Sequence, residues 1–336
     1  MKRHLLVLTA LLAAACSHTS EPRTPVADLA PGSAPAATVR PVPLFKDAPG
    51  TYRIGSLEWR GGLEISHDDA RFGGLSAIIV SGDGSRLLSI SDSAWWVTSR
   101  LGWAENGHLT GFDTVTISTM RDENGEHLEG NRNDSEGLAA LGDGRYAVSF
   151  EREHRIWAYD IGTEWDQADA ARPVPVTGPA PADPVEQNGG MEALASLGDG
   201  GLLTGFEYPL GDNADYNIWH RAGQNWQATA MAALPEYGLT GMTVIEGQVY
   251  ALERFYSPAV GNRIRIIRFA EADLGQDAVI EPEILAELGP ENSIDNFEGI
   301  TAFRRGEELI LLIVSDDNYR VHGPQRTLLM AFAVAG

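Results

Sequence analysis

Carboxylates recur at two matched places in a phrase that the chain repeats five times. The phrase runs acidic residue, glycine, apolar run, turn, second apolar run, acidic residue, and its fullest copy spans Asn133 to Arg152. Glu136, Glu192 and Glu298 stand at the head of the first apolar run in three copies, while Asp92, Glu151, Glu207, Glu253 and Asp316 close the second run in all five. Acids that converge on one point raise one another's pKa unless a cation answers them. No His or Cys accompanies them, and oxygen-only ligands suit Ca2+, or else Mg2+, better than zinc. The first set is expected to do acid–base chemistry and the second to hold the cation. Arg152, Arg254 and Arg326 are the candidates for gripping an anionic substrate group, because a guanidinium offers bidentate contacts to phosphate. A structural reading stands beside this one: Glu151-Arg152 and Glu253-Arg254 also suit ion pairs that fix the register of neighbouring units.

The elements around these residues are strands. Leu75 to Val80 and Leu87 to Ser91 flank the turn Ser81-Gly82-Asp83-Gly84, and Leu138 to Leu141 and Tyr146 to Phe150 flank Gly142-Asp143-Gly144. In these turns Gly, often with Asp, supplies the left-handed positions a tight hairpin needs. The hairpins begin near residues 74, 137, 190, 241 and 299, so each unit holds about 50 to 65 residues, enough for a four-stranded sheet and its loops. Such a sheet cannot bury both faces alone, and packing copies radially is the β-propeller solution. An all-β propeller is therefore expected over a β-sandwich. Six blades are favoured, with the strands around Tyr52 to Ile65 and Leu328 to Val334 forming the extra one, and five are acceptable. In a propeller the inner strands line a central channel, which turns the repeated acids into a ring.

The formal net charge of -22 counts against nucleic acid as a partner and makes a cation necessary for any anionic ligand. Cys16 is the only cysteine. Before it lie a basic start, Met1-Lys2-Arg3-His4, an apolar run from Leu5 to Leu12 too short to span a bilayer, and Ala13-Ala14-Ala15. This pattern resembles a bacterial lipoprotein signal, which implies cleavage after residue 15 and lipidation of Cys16; an ordinary secretory signal is the other reading. Residues 16–45 then read as a Pro/Ala-rich tether and residues 46–336 as the folded domain. The expected location is the bacterial cell envelope, periplasm-facing or on the outer membrane, with the lipid as the only membrane contact and the protein a monomer.

Several spaced motifs carry a family resemblance. Phe72-Gly73-Gly74-Leu75-Ser76-Ala77, Arg121-Asp122-Glu123-Asn124-Gly125, Asp134-Ser135-Glu136-Gly137, Phe150-Glu151-Arg152, Leu252-Glu253-Arg254, Asn296-Phe297-Glu298-Gly299-Ile300 and Leu312 to Tyr319 with Gln325-Arg326-Thr327 resemble the bacterial phytase-like family, described as having esterase-like activity. The resemblance runs from about residue 50 to 335 and implies hydrolysis of phosphate or related esters on a propeller, often by exported proteins.

No G-x-S-x-G elbow, H-E-x-x-H or P-loop is present, so the residues support neither a serine hydrolase nor a zinc protease. His322, in Val321 to Arg326, reads as a structural histidine in a loop near the site. The acidic segment Asp122 to Asp134 is rich in oxygen ligands but lacks the EF-hand spacing, leaving a Ca2+ loop or a solvated loop. Trp95, Trp96, Trp157 and Trp219 are expected between blades, with Trp95-Trp96 also able to stack on a ligand. Two functions follow: a metal-assisted hydrolase of small anionic esters, or a non-catalytic propeller that binds a ligand or partner of the envelope.

Overall fold

A computed structural model describes residues 37–223, 225–320 and 325–335. The proposed signal, Cys16, most of the tether and His322 lie outside the described residues. Three strands open the described chain: β1 (Thr38–Pro41), β2 (Arg53–Ile54) and β3 (Leu57–Ser66). The first blade follows as β4 (Leu75–Val80), β5 (Arg86–Ser91), β6 (Trp95–Trp103) and β7 (Leu109–Thr119). The second comprises β8 (Ser135–Gly142), β9 (Arg145–Phe150), β10 (Arg155–Asp160) and β11 (Val174–Val176). The third holds β12 (Ala193–Ser196), β13 (Leu202–Gly205), β14 (Tyr216–Ala222) and β15 (Asn225–Met231); the fourth holds β16 (Gly238–Ile245), β17 (Gln248–Ser257), β18 (Gly261–Ala270) and β19 (Glu283–Leu288). β20 (Asn296–Arg305), β21 (Glu308–Asp316) and β22 (Thr327–Val334) begin the fifth. No helix among the described residues is long and apolar enough to cross a membrane.

Five blades are present, and the sixth favoured from sequence is not. Its two halves belong to one sheet: β22 pairs antiparallel with β21 on one side and with β3 on the other, in register Thr327↔Ile65 through Val334↔Leu57. The N-terminal strands thus finish the fifth blade, and chain ends far apart in sequence are hydrogen-bonded into a closed ring. β1 adds to the edge of β3, so the ordered chain reaches back to Thr38 and past the boundary expected near residue 45.

Each blade alternates apolar residues on both faces because it is covered by a neighbour on each side. The core accordingly divides into five clusters, one per blade junction. Trp96, Phe150, Trp157 and Tyr159 fill the first junction, between blades one and two. Leu252, Ile266, Phe297, Leu311 and Phe332 fill the junction between blades four and five. The inner strands β4, β8, β12, β16 and β20 lie against one another in cyclic order around the axis. Buried hydroxyls tie adjacent blades there: Ser135 donates to the Ser91 carbonyl at 2.6 Å and Ser149 to the Met191 carbonyl at 2.6 Å.

The carboxylate ring as a candidate cation site

The heads of four of the five inner strands break their ladders at the same place. β4 and β5 lose register between Leu75 and Ala77, β16 and β17 between Leu239 and Gly241, β20 and β21 between Phe297 and Gly299, and β8 and β9 between Ser135 and Leu138. A bulge re-aims the side chain of its extra residue. The residues so placed are Ser76, Glu136, Thr240 and Glu298, and Glu192 precedes β12 at the matching point of the third blade. Glu192, Thr240 and Glu298 line a narrow axial cavity together with Gly137, Gly241 and Gly299, with room on the order of one water molecule.

A second tier sits at the end of the second strands: Asp92, Glu151, Glu207, Arg254 and Asp316. In four blades this tier is acidic, as expected. In the fourth it is Arg254, because Gly238 pairs with Arg254 as Asn296 pairs with Asp316. Glu253 is one residue out of phase with the other acids. It is fully buried and ion-paired to Arg265 at 2.9 Å, so the structure does not bring it to the ring as a cation ligand. Burial lifts its pKa to about 6 while Arg265 opposes the rise.

The second and third blades gather more carboxylates than cationic side chains. One oxygen from each of Asp134, Glu136 and Glu151 lies within 4.8 Å of the others, and the same holds for Glu151, Glu192 and Glu207. Glu136 is only 8% exposed, and burial raises its pKa well above the usual carboxylate range, with Asp134, Glu151, Glu298 and Asp92 pushing the same way. Burial also raises Glu192, reinforced by Glu136, Glu151 and Glu207. Glu151 is lifted to about 7 by burial and by Asp134, although the Gly190 N–H donates to its Oε1 at 3.1 Å. A Cβ on Gly190 would lie 2.9 Å from Glu151 Cγ, so only glycine permits this approach. Two overlapping all-oxygen triads that share Glu151 suit a hard divalent cation.

The fourth and fifth blades carry their own counter-charge. The Arg254 guanidinium donates to Glu298 Oε1 at 3.1 Å, to Glu207 Oε1 at 3.3 Å and to Asn296 Oδ1. Burial lowers the Arg254 pKa, but Glu298 and Glu207 outweigh it and the net shift is upward. Glu298 also accepts from Asn296 Nδ2 at 2.7 Å. Burial raises it and Arg254 opposes, and its pKa settles at about 7. Asp316 is raised well above the ordinary range by burial and by Glu298 and Asp92, although the Asn318 N–H donates to it at 2.6 Å. Asp317 accepts from the N–H groups of Gly74 and Tyr319, both at 3.1 Å. Gly74 has φ +60°, and a Cβ there would collide with the Tyr319 ring of the fifth blade as well as with Asp92, so a glycine lets blades five and one close.

All three arginines expected to grip substrate already hold carboxylates: Arg152 pairs with Asp134 at 2.5 Å, Arg254 with Glu207 and Glu298, and Arg326 with Asp295 at 3.2 Å. Asp295, Asn296 and Asp317 are site residues that sequence reasoning did not single out, and Asp134 entered it only as the end of the acidic Asp122 to Asp134 segment. Asp134 and Asn296 were detectable as matched neighbours of Glu136 and Glu298, each two residues before its glutamate. At the start of the Asp122 to Asp134 segment the acids are engaged within the loop: Asp122 accepts from the Asn124 and Glu126 N–H groups, and Arg132 pairs with Asp122 at 3.2 Å and Glu123 at 3.1 Å. Trp95 and Trp96 do not form an exposed pair. Trp96 is buried between blades, while Trp95 stacks on His127 at 4.2 Å with Arg71 over its ring.

Comparison with known proteins adds the following. No curated protein matches the chain. Among solved structures it is similar to a PQQ-bound aldose sugar dehydrogenase from Streptomyces coelicolor, at 14% identity over 90% of this chain and 99% of that one, with a TM-score of 0.45. It is similar also to a gluconolactonase from Xanthomonas campestris, at 14% identity over 90% and 97% of the two chains, TM-score 0.44. An α-L-arabinofuranosidase from Clostridium thermocellum matches at 12% identity over 78% and 90%, TM-score 0.45. Residues 70–319, well over half of the chain, match the phytase-like family, described as esterase-like activity of phytase. The chain belongs to the phytase-like family.

Proposed function

We propose that this protein is a cation-dependent hydrolase of small anionic esters, with phosphate esters as the first class to test, acting at the carboxylate ring. The observation that carries this reading is the pair of overlapping triads, Asp134/Glu136/Glu151 and Glu151/Glu192/Glu207, most of whose acids are pushed upward in pKa and lack a matching number of cationic side chains. These residues would hold the ion, Ca2+ by preference and Mg2+ as the alternative. A divalent cation held there lowers the pKa of bound water and polarises an ester oxygen. Glu136 and Glu192, expected from sequence to act as acid and base, are assigned to cation binding instead.

Glu298 is left as the proton carrier. Its Oε1 accepts from Arg254 and Asn296, which leaves Oε2 to hold or release a proton, and a pKa of about 7 suits that work near neutrality. Arg254 orients Glu298 and Glu207 through Nη1 and Nη2, and its Nε and second Nη2 hydrogens, which meet no acceptor among the described residues, would serve an anionic group. The reading includes export and a lipid anchor on Cys16, which rest on the N-terminal sequence. A Cys16→Ser variant is expected to move from the membrane fraction to the soluble fraction.

The functional test is hydrolysis of p-nitrophenyl phosphate, p-nitrophenyl acetate and phytate by chelator-treated protein with and without added Ca2+. Activity that needs Ca2+ and is lost in Glu298→Gln supports the proposal. Calcium binding without turnover of any ester would instead favour a non-catalytic ligand-binding propeller.

A further inference from the structure

The fourth blade departs from the first and second above the ring. β17 and β18 stay paired without a bulge from Gln248↔Ala270 to Ser257↔Gly261, so their ladder continues three rungs beyond Arg254. In the first blade the matching ladder stops at Ile90↔Trp96, and in the second at Phe150↔Arg155. At the rise of an extended strand, three residues lift the hairpin tip by about 10 Å.

Side chains on this hairpin alternate between its faces, and the contacts fix the phase. Glu253 pairs with Arg265, the Phe255 ring lies 5.6 Å from Tyr237, and the Arg265 guanidinium sits 5.9 Å from the Tyr237 ring centre. That packed face anchors the hairpin. The opposite face carries Arg254, which reaches into the ring, and one pleat above it Tyr256, which is 59% exposed. A tyrosine ring held on a braced hairpin one pleat beyond Arg254, which itself bonds Glu207 and Glu298, presents a flat apolar surface at little entropic cost.

We propose that Tyr256 is a stacking subsite that makes the site select anionic esters whose alcohol portion is an aromatic ring over those with a short acyclic alcohol. This rests on the proposed cation-dependent binding of anionic esters at the ring. Aromatic stacking of this kind is expected to give about a fivefold preference.

The test measures binding of inorganic phosphate, methyl phosphate and phenyl phosphate to the Ca2+-loaded full chain by calorimetry, in the wild type, Tyr256→Ala and Tyr256→Phe. The expected result is phenyl phosphate binding about fivefold more tightly than methyl phosphate in the wild type and in Tyr256→Phe, with the preference gone in Tyr256→Ala and inorganic phosphate unchanged throughout. An equal preference in Tyr256→Ala, or none in the wild type while inorganic phosphate binds, overturns the stacking subsite alone. Failure of inorganic phosphate to bind the wild type in the presence of Ca2+ overturns the underlying site and the subsite with it.

Discussion

Glu151-Arg152 and Glu253-Arg254 are the same dipeptide at the end of the same strand in two blades, and they do opposite things. In the second blade the glutamate faces the axis among other acids, and the arginine, in a left-handed backbone conformation at φ 55°, turns back to Asp134. In the fourth blade the glutamate is buried between blades against Arg265, and the arginine takes the axial place. The difference is one residue of strand phase. After Phe150 the second blade turns at once, whereas β17 continues as a strand through Ser257, so the alternation carries Arg254 to the ring and Glu253 to the core. One blade thereby acquires a fixed positive charge, while the acids gathered in the second and third blades outnumber their arginines.

The largest test of this contrast is Glu253→Ala. Removing one partner of a buried pair leaves the largely buried Arg265 with only the longer pair to the exposed Glu287 at 3.6 Å, so the substitution is expected to lower unfolding stability by about 3 kcal/mol in urea titration while calcium binding per folded molecule persists. A loss of less than about 0.5 kcal/mol would mean that Glu253 is not the core element described. Glu136→Gln should act in the reverse sense. With chelator present it relieves repulsion and is expected to stabilise by about 1 kcal/mol, while abolishing the rise in melting temperature on adding Ca2+.

The pH dependence separates the two sides more gently. Folding raises Glu151 from 4.5 to about 7, so the neutral carboxyl is the form the fold favours. Its contribution is fully present below about pH 4.5 and is lost as pH rises through about 7. Chelator-treated protein should therefore melt at progressively lower temperature across that window, and Glu151→Gln should flatten the profile; an unchanged profile in the variant would count against the strained ring. The smallest expected effect is that of Arg304→Ala. Its pair with Glu246 spans two blades but is exposed, and no change in melting temperature is expected.

Most of the architecture was legible in the sequence because each blade repeats one hairpin phrase at a near-constant spacing. The blade count was not, since nothing local in Leu57 to Ser66 or Thr327 to Val334 says that the two strands pair with each other across the whole chain. Within the site, Glu136, Glu192 and Glu298 were legible from their place at the head of the first apolar run in three of the repeats, Glu136 and Glu298 directly before a glycine. The error at Glu253 came from aligning by residue type: the acid of Leu252-Glu253-Arg254 was matched to that of Phe150-Glu151-Arg152, when the buried positions Phe150 and Glu253 are the equivalent ones. The arginines were misread for a related reason. A sequence shows that a guanidinium is near an acid, but only the packed ring shows that the acids outnumber the cations and engage every arginine first.

The central claim is that the acid-rich side of the ring, where the two triads overlap at Glu151, holds a divalent cation. Calorimetric titration of Ca2+ into chelator-treated wild type and Glu151→Gln tests it most directly, because Glu151 is the one residue common to both triads. Saturable binding with a rise in melting temperature in the wild type, lost or weakened at least about tenfold in the variant, is the predicted result. Absence of saturable Ca2+ or Mg2+ binding at millimolar concentration in the wild type, or equal binding in the variant, would contradict it.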